Sequence, residues 1–194
     1  MRQASEAAPL ERLRAGDLSA FDAVYDAYNP RLFSFLVRMT KNRTVAEDLL
    51  EETWLRLVSS GRGLAAATRL GPWLFTVARN LSMSYYRSRA REQARTRDLI
   101  SLWPREFSRT PYDAALLSEF EQRLEAALAE VPPRYREALL LVGFEGLRPA
   151  DAAAVCGITP EALRQRLSRG RALLARRLKA GEVLREITSG QVSL

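Results

Sequence analysis

A run of leucines set against a run of arginines most constrains what this chain can fold into. Between Ala162 and Gly181 there are seven basic residues and no acidic one: Arg164, Arg166, Arg169, Arg171, Arg176, Arg177 and Lys179. At about 100° per residue, Leu163, Leu167, Leu174 and Leu178 share one side of a helix, while Arg164, Gln165, Ser168, Arg169 and Arg176 spread over the other. Such a helix must bury its leucines and leave its arginines in water. The residues before it supply a partner. Pro149 and Pro160 suit first helical positions, Gly157 suits a turn between two helices, and Thr159 can cap the unpaired amides of the second. A short helix, a glycine turn and a basic helix make a helix-turn-helix, whose second helix fits the major groove of duplex DNA. The plainer reading is a solvated arginine-rich helix at the edge of a bundle, and the cap, turn and apolar face together favour DNA over it.

The rest of the composition removes other functions. A length of 194 residues with 47% hydrophobic content allows one folded domain or two small ones. The net charge of +7 favours an anionic partner without distinguishing nucleic acid from a membrane surface. With one cysteine, Cys156, and no histidine, the chain has no internal disulfide, no histidine-based triad and no common zinc site. No catalytic residue, metal ligand set or cofactor is expected, and Cys156 reads as a small buried apolar group. No apolar run reaches the ~18 residues of a membrane span and no signal-peptide pattern opens the chain, so a cytoplasmic protein without membrane insertion is expected.

Nearly every periodic segment has helical spacing, so the expected fold class is all-α. Leu18, Phe21, Tyr25 and Tyr28 recur at that spacing, Asn29-Pro30 interrupts, and Leu32, Phe35, Leu36 and Met39 resume, which predicts two antiparallel helices. Thr44 is the expected cap of the next helix, with Glu47 completing a capping box, and the helix continues to about Ser59. The three glycines between Ser60 and Gly71 predict a mobile loop, and Pro72 begins a helix reaching about residue 91. Periodicity then fades, with Pro104 and Pro111 as breakers. Helices follow over Asp113 to Glu130 and Arg134 to about Phe144, on either side of a Val-Pro-Pro break, and then the helix-turn-helix. The expected organisation is a helical domain over 1–91, a flexible linker over 92–112, a second helical domain over 113–180 and a fraying tail over 181–194.

Two further surfaces carry a functional reading. Val45, Leu49, Leu50, Thr53 and Leu57 form an inward face, opposite Glu47, Asp48, Glu51 and Glu52 with Leu55 among them. An acidic stripe on a basic protein is either a protein-docking site or a solvated face, and no complementary ligands favour a metal there. On the next helix Trp73, Leu74, Val77, Leu81 and Tyr85 form an apolar arc, while Phe75 and Tyr86 project elsewhere with Arg79 between them. That pattern suits either stacking on unpaired bases or a helix packed on both sides.

In order, FDAVYDAYNPRLFSFLVRMT with AEDLLEETWLRL, then PWLFTVARNLSMSYYR, then LAEVPPRYREALLLVGFEGL with the helix-turn-helix, the chain resembles the extracytoplasmic-function group of bacterial RNA polymerase sigma factors. The resemblance runs from Leu10 to Leu178. It implies sigma region 2, a helical bundle that binds the polymerase clamp and captures the melted minus-ten strand, and sigma region 4, which reads the minus-thirty-five element as duplex. It places Asp48, Glu51, Glu52 and Trp54 on the clamp-facing helix, and Asn80, Tyr86 and Arg87, with the loop from Ser60 to Leu70, at the strand-opening site. It places Arg164, Gln165, Ser168, Arg169 and Arg171 on the recognition helix, where Arg176 lies farther along and suits backbone contact. The implied partners are core RNA polymerase, promoter DNA as duplex and as melted single strand, and an anti-sigma factor. The chain departs from the family pattern at Glu51, Ser84, Arg148-Pro149 and Glu161-Ala162. A stand-alone helix-turn-helix regulator and a sigma-like interaction module that binds no DNA are the rival classes.

Overall fold

A computed structural model describes residues 11–12, 15, 17–65, 67–96 and 118–188. Among them are seven α-helices and no strand. The chain divides into two compact units, Met1–Ser108 with Ala154–Gly157, and Arg109–Ala153 with Ile158–Leu194.

The first unit is a three-helix bundle of α1 (Leu18–Thr40), α2 (Arg43–Ser60) and α3 (Leu70–Thr96), each packed on the other two. Asp17 caps α1, its Oδ1 accepting the Ser19 amide proton at 2.9 Å. The Ser19 hydroxyl and the Arg12 guanidinium, both bonded to this carboxylate, hold its pKa down at about 2. Helix α1 is continuous, with Pro30 in its interior, so the two antiparallel helices expected from Asn29-Pro30 are one. The buried residues Val24, Tyr28, Leu32, Phe35, Leu36 and Met39 keep one helical phase straight through the proline. An interior proline costs about 3 kcal/mol. Fully burying even two large side chains offsets that, at about 1.5–3 kcal/mol each.

The turn into α2 is two residues long. Lys41 adopts left-handed backbone (φ 58°) and donates its N–H to Val37 O at 2.8 Å. Asn42, not Thr44, is the cap of α2: its Oδ1 accepts the Val45 amide proton at 3.1 Å. Glu47 instead pairs with Arg43 at 3.0 Å, so no capping box forms there. After Ser60 the expected loop is partly ordered: Gly61–Gly63 make one 3₁₀ turn. Helix α3 starts at Leu70, two residues before Pro72, whose missing N–H falls among the unpaired donors of a first turn.

The second unit contains α4 (Glu119–Glu130), α5 (Pro133–Leu139) with a π-turn over Leu140–Phe144, α6 (Pro149–Cys156) as far as Ala153, and α7 (Pro160–Thr188). Ser118 and Glu121 form a reciprocal capping box at the start of α4. Its other end is closed from outside, by Arg136. This side chain is 2% exposed. Its Nε donates to Leu128 O at 2.9 Å, and its Nη2 to Ala129 O and Val131 O at 2.7 Å each. Helix α7 packs on α4 and α5. It lies so close to α5 at Gly170 that an added Cβ would stand 3.1 Å from Leu139 Cγ. Helix α7 also continues to Thr188, through part of the expected fraying tail. A lone Gly181 costs a helix only about 1 kcal/mol, too little to end it.

Candidate nucleic-acid and protein interfaces

The helix-turn-helix forms as its local chemistry requires. Gly157 takes φ +64° between α6 and α7, a left-handed conformation that side chains with a Cβ rarely adopt. Thr159 Oγ1 accepts the Ala162 amide proton at 3.2 Å, capping α7. Cys156 is buried, as are Leu163 and Leu167, while Leu174 and Leu178 are half-buried along the same face. Arg164, Gln165, Ser168, Arg169, Arg171 and Arg176 are all exposed.

Not every arginine of α7 is available to a ligand. Arg166 Nη1 donates to Glu137 Oε1 at 2.6 Å, and that carboxylate is buried in α5. Arg177 reaches Glu130 at 3.0 Å. The charge run alone reveals neither pairing, because periodicity assigns every charge to water, and only the Arg166 pair is buried on one side. Arg164 Nη2 pairs with Glu161 Oε1 at 2.9 Å on the exposed side. Arg169, hydrogen-bonded to the Tyr135 hydroxyl, together with the positive charge of nearby Arg134 holds that phenol below its ordinary pKa. The Arg134 guanidinium also covers the Tyr135 ring, 4.6 Å from its centroid. The α5 side of the unit therefore adds Arg134 to the basic surface, a residue that the sequence pattern did not single out. Before α6, Arg148 turns back to Asp151 at 2.9 Å.

On α3, Arg79, Asn80, Met83, Tyr86, Arg87 and Ala90 line an open groove. The three expected strand-opening residues are thus brought together. Asn80 Oδ1 accepts from Arg79 Nη1 at 3.3 Å, and Arg87 Nη2 donates to Ser84 Oγ at 3.0 Å. Tyr86 is half-buried and its hydroxyl donates to the Met39 carbonyl, so its ring is tied to the end of α1. Phe75 does not belong to this surface. It is fully buried, edge-on to Phe35 with ring centroids 5.5 Å apart. Of the two readings open for this helix, packing on both sides holds for Phe75.

On α2, Asp48, Glu51, Leu55 and Val58 recur every three or four residues, all exposed. Glu47 and Glu52 are engaged by Arg43 and Arg56 at 3.0 and 2.9 Å. Asp48 and Glu51 have no ion-pair partner among the described residues. Trp54 faces the other way. It is buried, its Nε1–H donates to Asn29 Oδ1 at 3.0 Å, and its ring meets Phe21 and Tyr25 at centroid distances of 5.7 and 4.9 Å. This indole fixes α2 against α1, while Leu55 and Val58, at 56% and 65% exposure, are apolar side chains left on the outward face. Among the described residues no group of three or more acidic or cysteine side chains could hold a metal ion. Among the described residues no helix is long and apolar enough to cross a membrane.

Comparison with known proteins matches both units. Residues 24–92 match the family Sigma-70 region 2, and residues 121–174 match Sigma-70, region 4. The chain is 37% identical over 146 residues to the ECF RNA polymerase sigma factor EcfG of Rhodopseudomonas palustris (strain TIE-1), covering 75% of this chain and 78% of that one. It is 35% identical over 164 residues to the RNA polymerase sigma factor CarQ of Myxococcus xanthus, covering 83% and 90%. Among solved structures, the sigma factor RpoE from Bartonella quintana, in complex with the anti-sigma factor NepR, superposes with a TM-score of 0.66 at 27% identity, covering 82% of this chain and 96% of that one.

Proposed function

The chain belongs to the extracytoplasmic-function group of sigma-70 factors, and on that premise we propose how its surfaces divide the recognition of a promoter. It is an alternative sigma factor: it binds core RNA polymerase and directs it to promoters, as an initiation factor and not an enzyme. In our reading, region 2 occupies residues 1–91 and region 4 residues 113–180. Helix α7 enters the major groove of the upstream element, α3 receives the melted downstream strand, and α2 docks on the polymerase. The observation that carries this division is the outward basic face of α7, Arg164, Gln165, Ser168 and Arg169, opposite buried Leu163 and Leu167.

Physical roles follow from position. Arg164, Gln165, Ser168 and Arg169, nearest the start of α7, are the base readers. Arg171 and Arg176 hold phosphates, setting register and making affinity fall with salt. Each small unit binds its DNA element weakly. Joining both to polymerase raises the effective concentration of each at its element, so selectivity depends on the spacing of the elements as well as their sequence. On α3, Asn80 and Arg87 contact the unpaired strand, and Tyr86 supports them from its anchored position. On α2, Asp48 and Glu51 meet a basic patch of polymerase, with Leu55 and Val58 as apolar anchors and Trp54 holding the helix in place. An anti-sigma protein is a further partner in this proposal, because RpoE of Bartonella quintana was solved with one. A cytoplasmic location belongs to the proposal as well.

Charge reversal tests the docking face. Because Asp48 and Glu51 are exposed, Asp48→Lys with Glu51→Lys should leave the helical circular dichroism signal intact. The same pair should weaken core-polymerase binding by about tenfold or more. Unaltered affinity in a titration against labelled polymerase would place docking elsewhere. The strand-opening role has a separate readout. Asn80→Ala with Arg87→Ala should reduce permanganate reactivity of unpaired thymines about tenfold, while closed-complex retention stays near wild type, since these contacts exist only once bases are unpaired. Equal melting by variant and wild type contradicts that role.

A further inference from the structure

Glu161 sits in the first turn of α7, where its Oε1 accepts a hydrogen bond from Arg164 Nη2 at 2.9 Å. Both side chains are 66% exposed. At that exposure an ion pair contributes little to stability, and the helix start adds only about 0.3–1 kcal/mol for a carboxylate in its first turn. For binding DNA in general the acid is unfavourable. A helix start is a natural place for a backbone phosphate, and a carboxylate there repels it. Yet Glu161, Arg164, Gln165 and Ser168 are spaced i, i+3, i+4 and i+7, so they form one row along the outward face, at the end of the helix that reaches base edges in helix-turn-helix proteins.

An unrestrained arginine must give up most of its rotamer freedom to read a base. A carboxylate one turn back selects a guanidinium orientation beforehand, and a single bond to Nη2 leaves the other N–H donors of the planar fork for a ligand. We propose that Glu161 is a specificity-determining positioning residue, which holds Arg164 so that its guanidinium reads the O6 and N7 acceptors of one guanine in the upstream element. The acid lowers binding to every sequence alike by repelling phosphate, and only at the matching guanine does the already oriented Arg164 offset that loss. This inference rests on the reading of α7 as the duplex reader.

The test uses the full chain assembled with core polymerase, on promoters in which each base pair of the upstream element is varied in turn. Arg164→Ala should flatten the preference for guanine at one position. Glu161→Ala should lower that same preference about five- to tenfold, while affinity for other sequences holds or rises and the salt dependence steepens. Glu161→Gln, which keeps an acceptor without the charge, should fall between wild type and alanine. The double alanine variant should discriminate no worse at that position than Arg164→Ala alone, because the two residues act as one unit. Full guanine preference retained by Glu161→Ala overturns the proposal while leaving the reading of α7 intact. A wild-type holoenzyme indifferent to the upstream element, or an Arg164→Ala variant that selects like wild type, overturns the base reading itself and the proposal with it.

Discussion

Replacing Arg164, Gln165 and Arg169 together by alanine is expected to reduce discrimination between a preferred and a scrambled upstream duplex by about 100-fold or more. Each good bidentate contact to a base is worth about 1–3 kcal/mol, and about 1.4 kcal/mol is a factor of ten, so losing two of the three suffices. All three side chains are exposed and losing the Arg169 hydrogen bond to the Tyr135 hydroxyl costs only about 1 kcal/mol, so the unit should stay folded and polymerase binding, proposed through α2, should be untouched. The proper contrast is Arg176→Ala. That residue lies farther along α7, where we propose contact with the backbone, and its loss should weaken preferred and scrambled duplexes alike and reduce the salt slope by about one. Holoenzyme binding to the two duplexes at several salt concentrations separates the two behaviours. Undiminished discrimination by the triple variant would show that α7 is not the reader.

Arg136→Ala is expected to destabilise the second unit by about 3–5 kcal/mol. The substitution removes one donor each from Leu128 O, Ala129 O and Val131 O; Leu128 O keeps the Val131 amide at 3.1 Å, while Ala129 O and Val131 O lose the guanidinium that holds them. A unit of this size is stable by only about 4–10 kcal/mol in total. Its thermal midpoint should therefore drop by about 10–20 °C or more. Arg136→Lys should recover only part of the loss, because an ammonium cannot reproduce the planar fork that spans three acceptors. Circular dichroism melts of the three proteins provide the comparison, and coincident melts would mean that α4 is closed by other groups. The functional consequence is direct, since α7 packs on both α4 and α5.

How far the residues announce all this differs from place to place. The helix-turn-helix was legible because every signal in it is local: Gly157 has the backbone that only glycine adopts easily, Thr159 caps, and Leu163 and Leu167 face inward as their spacing requires. Pro30 misleads because the breaker rule is also local, whereas the burial that overrides it comes from α2 and α3. A pattern that keeps its phase on both sides of a proline is the signal of a continuous helix. Trp54 follows the same spacing as Ala46, Thr53 and Leu57 and is buried with them, so periodicity could have assigned it to the core ahead of the resemblance. Phe75 stood apart from the main arc because α3 packs against both other helices of its bundle, and one apolar face cannot serve two neighbours. Arg136, Glu137 and Arg166 were illegible: hydrophobic patterning sends charges to the surface, and only the fold brings α4's carbonyls and α7's guanidinium to them.

The most direct test of the account mixes the purified chain with core RNA polymerase and a library of templates randomised across the upstream and downstream elements and the spacer between them, then sequences the transcripts. The account predicts that transcripts depend on the chain and come from templates sharing two elements at one fixed separation. The upstream element should lose its consensus with the Arg164, Gln165 and Arg169 triple variant, and the downstream one should weaken with Asn80→Ala and Arg87→Ala. Transcripts identical to those of core polymerase alone, or an enriched single duplex site with no second element, would contradict it.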